Sequence, residues 1–188
     1  MRVAVSGAHA TGKSTLIAAF LERCPDYAHE PEAFETLGDD VELAGDEPTA
    51  DGLRLLLDHT ASAIDAYGPG TRVIFERSPV DYVAYAAASR SWPSGAAADF
   101  LDAALPVVRR ALRGLDLIVF LPVSARGPSA RPDESPRFRK RVDRALGRAL
   151  LDDEHGLFGG PAAPRVVALP PDLEGRLAEL VRLTGPRV

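Results

Sequence analysis

No asparagine and no glutamine occur anywhere in this chain of 188 residues, and only two lysines, Lys13 and Lys140, accompany its many arginines. Without amide side chains, guanine recognition through an N-K-x-D motif has no residue to start from. Nor can a glutamine orient an attacking water, as in small GTPases. Cysteine is nearly absent too: Cys24 stands alone, so no internal disulfide can form, as befits a reducing compartment, and the residue reads as a small buried apolar group. No apolar run approaches the roughly 20 residues that a membrane helix needs. No basic, apolar and small-residue succession of the secretory kind precedes the first strand-like residues, so the expected location is the cytoplasm. The net charge of −5 gives no overall attraction to nucleic acid or to an anionic membrane, and any anion site must be built locally.

What is present is a regular alternation. β-branched, apolar runs bounded by Gly or Pro occur at 2–6, 71–76, 115–123 and 165–170, with a weaker one at 27–30 before Pro31; these read as buried strands. Helical spacing covers 13–23, 50–67, 80–89, 97–113, 137–151 and 172–184, with a kink expected at Pro106. Strands alternating with helices imply parallel βαβ units, because parallel neighbours need long crossovers, and hence a three-layer α/β fold. The length suits one domain spanning 1–188. The stretch 125–136, "ARGPSARPDESP", is dense in Pro, Ser and charge and too short to link two domains. It reads as a mobile flap.

The chemistry starts at residue 7. "GAHATGKST" satisfies G-x-x-x-x-G-K-[ST] through Gly7, Gly12, Lys13 and Ser14, and it lies between a first strand and a first helix, where this motif must lie. Glycines let the backbone curl so that N–H groups and the positive helix end converge on phosphate oxygens. The expected nucleotide site is Gly7, Ala10, Thr11, Gly12, Lys13, Ser14 and Thr15. Lys13 would reach the β- and γ-phosphates of ATP and Ser14 would ligate Mg²⁺, while His9 reads as a spacer. The strand at 115–123 ends without an aspartate for the metal. Glu76, closing "VIFE", is the alternative: at the carboxyl edge of a strand beside the first it would hold the metal through water, and Arg77 would point toward the transferring group. Glu30, at the tip of the short strand, suits the proton of an attacking hydroxyl, with Glu32 and Glu35 close enough in sequence to be confused with it.

Taken together, "GAHATGKST", the "EP" of "HEPEAFETLG" and "VIFERSPVDYVAY" resemble the P-loop nucleoside and nucleotide kinases. More narrowly, they resemble AAA-type ATP-binding domains related to ribosylnicotinamide kinases. That resemblance implies a five-stranded parallel sheet of order 2-3-1-4-5, a base at Glu30, a metal-linked acid at Glu76 and a substrate-side arginine at Arg77. It further implies an arginine-bearing lid at about 124–141. Such a lid neutralises charge spread over the transferring phosphoryl group and excludes water; Arg131 is the first candidate, followed by Arg139 and Arg137. Phe34, His59, Tyr82 and Tyr85 are the expected wall of the acceptor pocket.

One departure stands out, since deoxynucleoside kinases read the base with a glutamine and this chain has none. Base reading would fall to backbone, carboxylate or arginine. The expected activity is ATP-dependent phosphoryl transfer to a nucleoside or nucleotide. A sugar, acid or antibiotic hydroxyl is an alternative acceptor, and an ATP-binding regulatory module without transfer is an alternative class. Neither nucleic acid nor membrane is an expected partner, and a homodimer is left open.

Overall fold

The computed structural model describes residues 1–44, 47–124 and 135–185. Its elements in chain order are β1 Arg2–Ser6, α1 Lys13–Arg23, β2 Ala28–Glu30, α2 Ala33–Leu37, β3 Leu43–Ala44, β4 Glu47–Pro48 and α3 Ala50–Ala66. They continue with β5 Val73–Glu76, α4 Pro79–Ala88, α5 Ala96–Leu112, β6 Leu117–Phe120, α6 Pro136–Leu150, β7 Arg165–Ala168 and α7 Leu173–Thr184. Five strands form one parallel sheet in the order β2-β5-β1-β6-β7. Numbered within that sheet, this is the expected 2-3-1-4-5.

Alternation along the strands divides the core between the two sheet faces. Ala4, Phe75 and Ile118 pack with residues of α3, α4, α5 and α6, whereas Val3, Val5, Ile74, Leu117 and Val119 pack with Leu16, Ile17 and Phe20 of α1 and Leu180 of α7. The central strands β1, β5 and β6 are almost wholly buried, which is why they read as continuous apolar runs. From β1 the chain passes to β2 and back to β5 on one side, and only then crosses to β6 on the other. The crevice beyond the carboxyl end of β1 is therefore the topological switch point where open α/β sheets bind ligands.

The long helices fall within a residue or so of their expected limits, and α5 runs through Pro106 as one helix. Between Pro31 and residue 50 the sequence spacing marks neither strand nor helix. There the chain forms the short α2, a single 3₁₀ turn and the two-residue strands β3 and β4. Tertiary partners hold this region: Glu47 accepts from the hydroxyls of Ser89 and Ser91 at 2.7 and 2.9 Å and pairs with Arg141 at 3.1 Å. At Gly52 a Cβ would stand 2.5 Å from the carbonyl oxygen of Glu42, so the first turn of α3 can pass this close only as glycine.

Candidate active site

The loop after β1 is curled by two residues in left-handed conformation, Ala10 (φ 51°) and Gly12 (φ 88°). Gly7 is required for space, since a Cβ there would lie 2.7 Å from Thr11 Oγ1 and 3.0 Å from the carbonyl oxygen of Leu121. Three arginines grip the loop from its carbonyl side. Arg77 Nη1 donates to the carbonyl of Gly7 at 3.2 Å, Arg139 donates to those of His9 and Ala10 at 2.9 and 2.8 Å, and Arg176 Nη1 donates to that of Thr11 at 2.7 Å. A trans peptide directs its N–H opposite to its C=O. Fixing these four carbonyls thus also fixes the N–H directions of Ala8, Ala10, Thr11 and Gly12, the donors an anion would meet.

Lys13 opens α1 and is buried, with Nζ 3.8 Å from Glu76 Oε1. Burial, reinforced by the charge of Arg77, lowers its pKa, against the raising influence of Glu32, Glu76 and Asp81. Ser14 Oγ donates to the same Glu76 oxygen at 3.0 Å. A hydroxyl and a carboxylate side by side suit a hard cation such as Mg²⁺, which takes one or two protein oxygens and completes its shell with phosphate and water. Among the described residues no group of three His, Cys, Asp or Glu forms a metal cage.

Arg77 directly follows β5 in left-handed backbone (φ 79°), a conformation costly for a non-glycine residue, and its N–H donates to the carbonyl of Val5 at 3.0 Å. The guanidinium is buried beside the ring of Tyr85. It bonds Glu32 Oε1 at 2.5 Å and Asp81 Oδ1 at 3.3 Å, and its Nη2 lies 3.5 Å from His9 Nδ1. Burial alone would raise the Glu32 pKa, but Arg77 and then Lys13 outweigh it and hold this carboxylate down to about 2. Asp81, fully buried, closes a capping box with Ser78 and accepts from the N–H of Gly7 at 3.1 Å, tying the start of α4 to the phosphate loop.

The expected residues are only partly gathered here. Lys13, Ser14, Glu76, Arg77 and Arg139 converge on the loop. Glu30 lies apart, accepting from the Tyr67 hydroxyl at 2.9 Å, and the carboxylate found on Arg77 is that of Glu32. Glu35 is exposed, as are Phe34 and Arg137, and His59 is half-buried on α3. Tyr82 is buried with its hydroxyl bonded to Thr60 at 2.8 Å; Tyr85 packs edge-on to His9 and Phe138, and among the described residues its buried hydroxyl meets no hydrogen-bond partner. Arg131 and most of the expected lid lie outside the described residues. On α6, Phe138, Val142, Ala145 and Ala149 are buried, together with Leu146 and Leu150. Asp143 accepts from the N–H of Val123 at 2.8 Å, at the root of the expected lid. Two residues escaped the sequence reading. Asp81 could have been found from the S-x-x-D spacing of a capping box, whereas Arg176 carries no local signal.

A phosphate loop at the switch point of a 2-3-1-4-5 parallel sheet defines a P-loop kinase-like fold. Residues 2–157 match a family model described as an AAA domain, and the chain belongs to that family. Solved structures of similar fold include a deoxyadenosine kinase from M. mycoides with bound dATP, 11% identical, at a TM-score of 0.70 over 99% of this chain and 100% of that one. NadR protein in complex with NR is 20% identical at a TM-score of 0.68; all of this chain is covered, but it spans only 51% of NadR. Thymidylate kinase from Candida albicans is 12% identical at a TM-score of 0.62, over 97% of this chain and 89% of that one. No curated protein sequence matches the chain. Among the described residues no helix is long and apolar enough to cross a membrane.

Proposed function

We propose that the chain transfers the γ-phosphoryl group of ATP to a hydroxyl or phosphate oxygen of a small molecule, of the nucleoside or nucleotide class. The observation that carries this reading is the Glu32–Arg77 pair: a carboxylate and a guanidinium 2.5 Å apart, close enough to Lys13 to shift its charge balance, beside Glu76 and Ser14. A carboxylate by the phosphate loop that is not engaged with the proposed metal is what transfer to a hydroxyl needs and ATP binding alone does not.

In this reading the loop N–H groups and Lys13 hold the β- and γ-phosphates, and Ser14 with Glu76 holds Mg²⁺. Held there, the ion would supply neutralisation of phosphate charge. Arg77 and Glu32 position the acceptor. For a hydroxyl acceptor, its oxygen forms the new bond to the γ-phosphorus while the bond to the β–γ bridging oxygen breaks. ADP departs, and the hydroxyl proton passes to a carboxylate. Glu32, paired with Arg77, is a weak base at rest, which suits a loose transition state in which orientation matters more than early proton removal. Glu30, held by Tyr67, supports the acceptor side without touching the reacting atoms.

A second reading keeps the mechanism and changes the acceptor to a non-nucleoside hydroxyl compound. It is favoured by the lack of Asn and Gln, since carboxylate, guanidinium and phenol read hydroxyls readily and nucleobase edges less so. ADP release measured against a panel of nucleosides, nucleotides, sugars and aminoglycosides, with the phosphorylated product identified by mass spectrometry, separates the two. Tight binding of a non-hydrolysable ATP analogue with no product from any acceptor would overturn the transferase reading.

A further inference from the structure

Arg176, on α7, belongs to neither the motif nor the acceptor pocket, and it is 4% exposed. Its Nε donates to the carbonyl of Pro170 at 2.8 Å and its Nη1 to the carbonyl of Thr11 at 2.7 Å. Among the described residues no carboxylate lies within ion-pair distance of it. A buried guanidinium kept for two backbone carbonyls is an expensive device where an apolar side chain would pack. Those carbonyls belong to two segments 159 residues apart, the phosphate loop and the turn that leaves the edge strand β7.

We propose that Arg176 is a positioning residue for triphosphate binding. Its hold on the Thr11 carbonyl fixes the plane of the Thr11–Gly12 peptide, so that the Gly12 N–H faces the phosphate, and its hold on Pro170 makes the turn after β7 and the phosphate loop one rigid unit. The peptide is trans and Gly12 is left-handed (φ 88°), so nothing in the side chain of residue 12 resists rotation of this plane. Arg77 and Arg139 fix other peptides of the loop; Arg176 alone, among the described residues, donates to the carbonyl preceding Gly12. This role deepens the nucleotide-binding reading above and rests on it.

The test is calorimetric titration of a non-hydrolysable ATP analogue with Mg²⁺ into the wild-type chain, Arg176→Ala, Arg176→Lys and Arg182→Ala, with thermal melting of each without nucleotide. Misdirecting one donor to an anion is worth about tenfold in affinity. Arg176→Ala should bind about tenfold more weakly or worse and regain part of the loss when guanidinium ion is supplied at low concentration; Arg176→Lys, without the fork, should fall between. Arg182→Ala, on the same helix but in an exposed pair with Glu179, should bind like the wild type. If Arg176→Ala does not fold, the lysine variant carries the comparison. Wild-type affinity in whichever Arg176 variants fold, or a loss that merely follows the melting temperature and is not restored by guanidinium, would overturn the role of Arg176 alone. A wild-type chain that fails to bind the analogue would instead remove the nucleotide reading beneath it.

Discussion

The two sides of the crevice are built differently. On the proposed donor side, residues 7–14 and 76–81 are locked by mutual hydrogen bonds, with Ser6, Thr11, Lys13, Glu76, Arg77, Ser78 and Asp81 all buried. On the proposed acceptor side, β2 has only three residues and no buried one, and the following segment exposes Phe34 and Leu43. Phosphate is the same ligand in every nucleotide, so its cradle can be rigid and encoded in one short motif. An acceptor pocket must suit one particular molecule, and short elements held by distant partners such as Glu47 are the easier ones to reshape.

If that contrast is right, substitutions should sort by side. The largest effect is expected at Lys13→Ala, with turnover falling by about 10³-fold or more once the charge on the β- and γ-phosphates is lost; near-normal ADP release would break the donor side of the comparison. Next, Glu32→Gln should lower turnover by roughly 10²- to 10⁴-fold with affinity for the ATP analogue kept, while Glu30→Gln should change it by less than about threefold. The reverse ranking would return the proton-accepting role to Glu30. Asp81→Ala strips an acceptor from the buried donors of Gly7, Ser78 and Arg77 and should cost about 3 kcal/mol in urea unfolding.

The smallest effect sharpens the contrast by pH. The Glu32 pKa is lower in the folded chain, about 2 against a reference of 4.5. The carboxylate therefore contributes stability that is fully present above the unfolded pKa and is lost as pH falls through about 4.5 toward 2. Acid unfolding should accordingly be steeper in the wild type than in Glu32→Gln across that window. Curves that stay parallel would mean that Glu32 is not held by Arg77 in solution.

The same division decides what was legible in the sequence. Strand order, long helices and the phosphate loop follow from periodicity and from a motif whose spacing is its mechanism. The short elements between Pro31 and α3 do not: Glu47 there is held by Ser89, Ser91 and Arg141, partners that no local pattern announces. Local pattern does not separate Glu30 from Glu32 either, for a related cause. The register of β2 sets Glu30 opposite Phe75, on the sheet face where Tyr67 waits, and Glu32 escapes that alternation only because the strand ends before it. Arg176 illustrates the extreme case, a side chain whose partner lies 165 residues away.

Ser14 and Lys13 both lean on one oxygen of Glu76. A lone magnesium ion would have to part that hydroxyl from that carboxylate and would gain only two protein oxygens in exchange for some of its tightly held waters. In the proposed reaction, an ion carried in on a triphosphate would meet the pair with its own ligands already attached, so these contacts favour joint entry of metal and nucleotide.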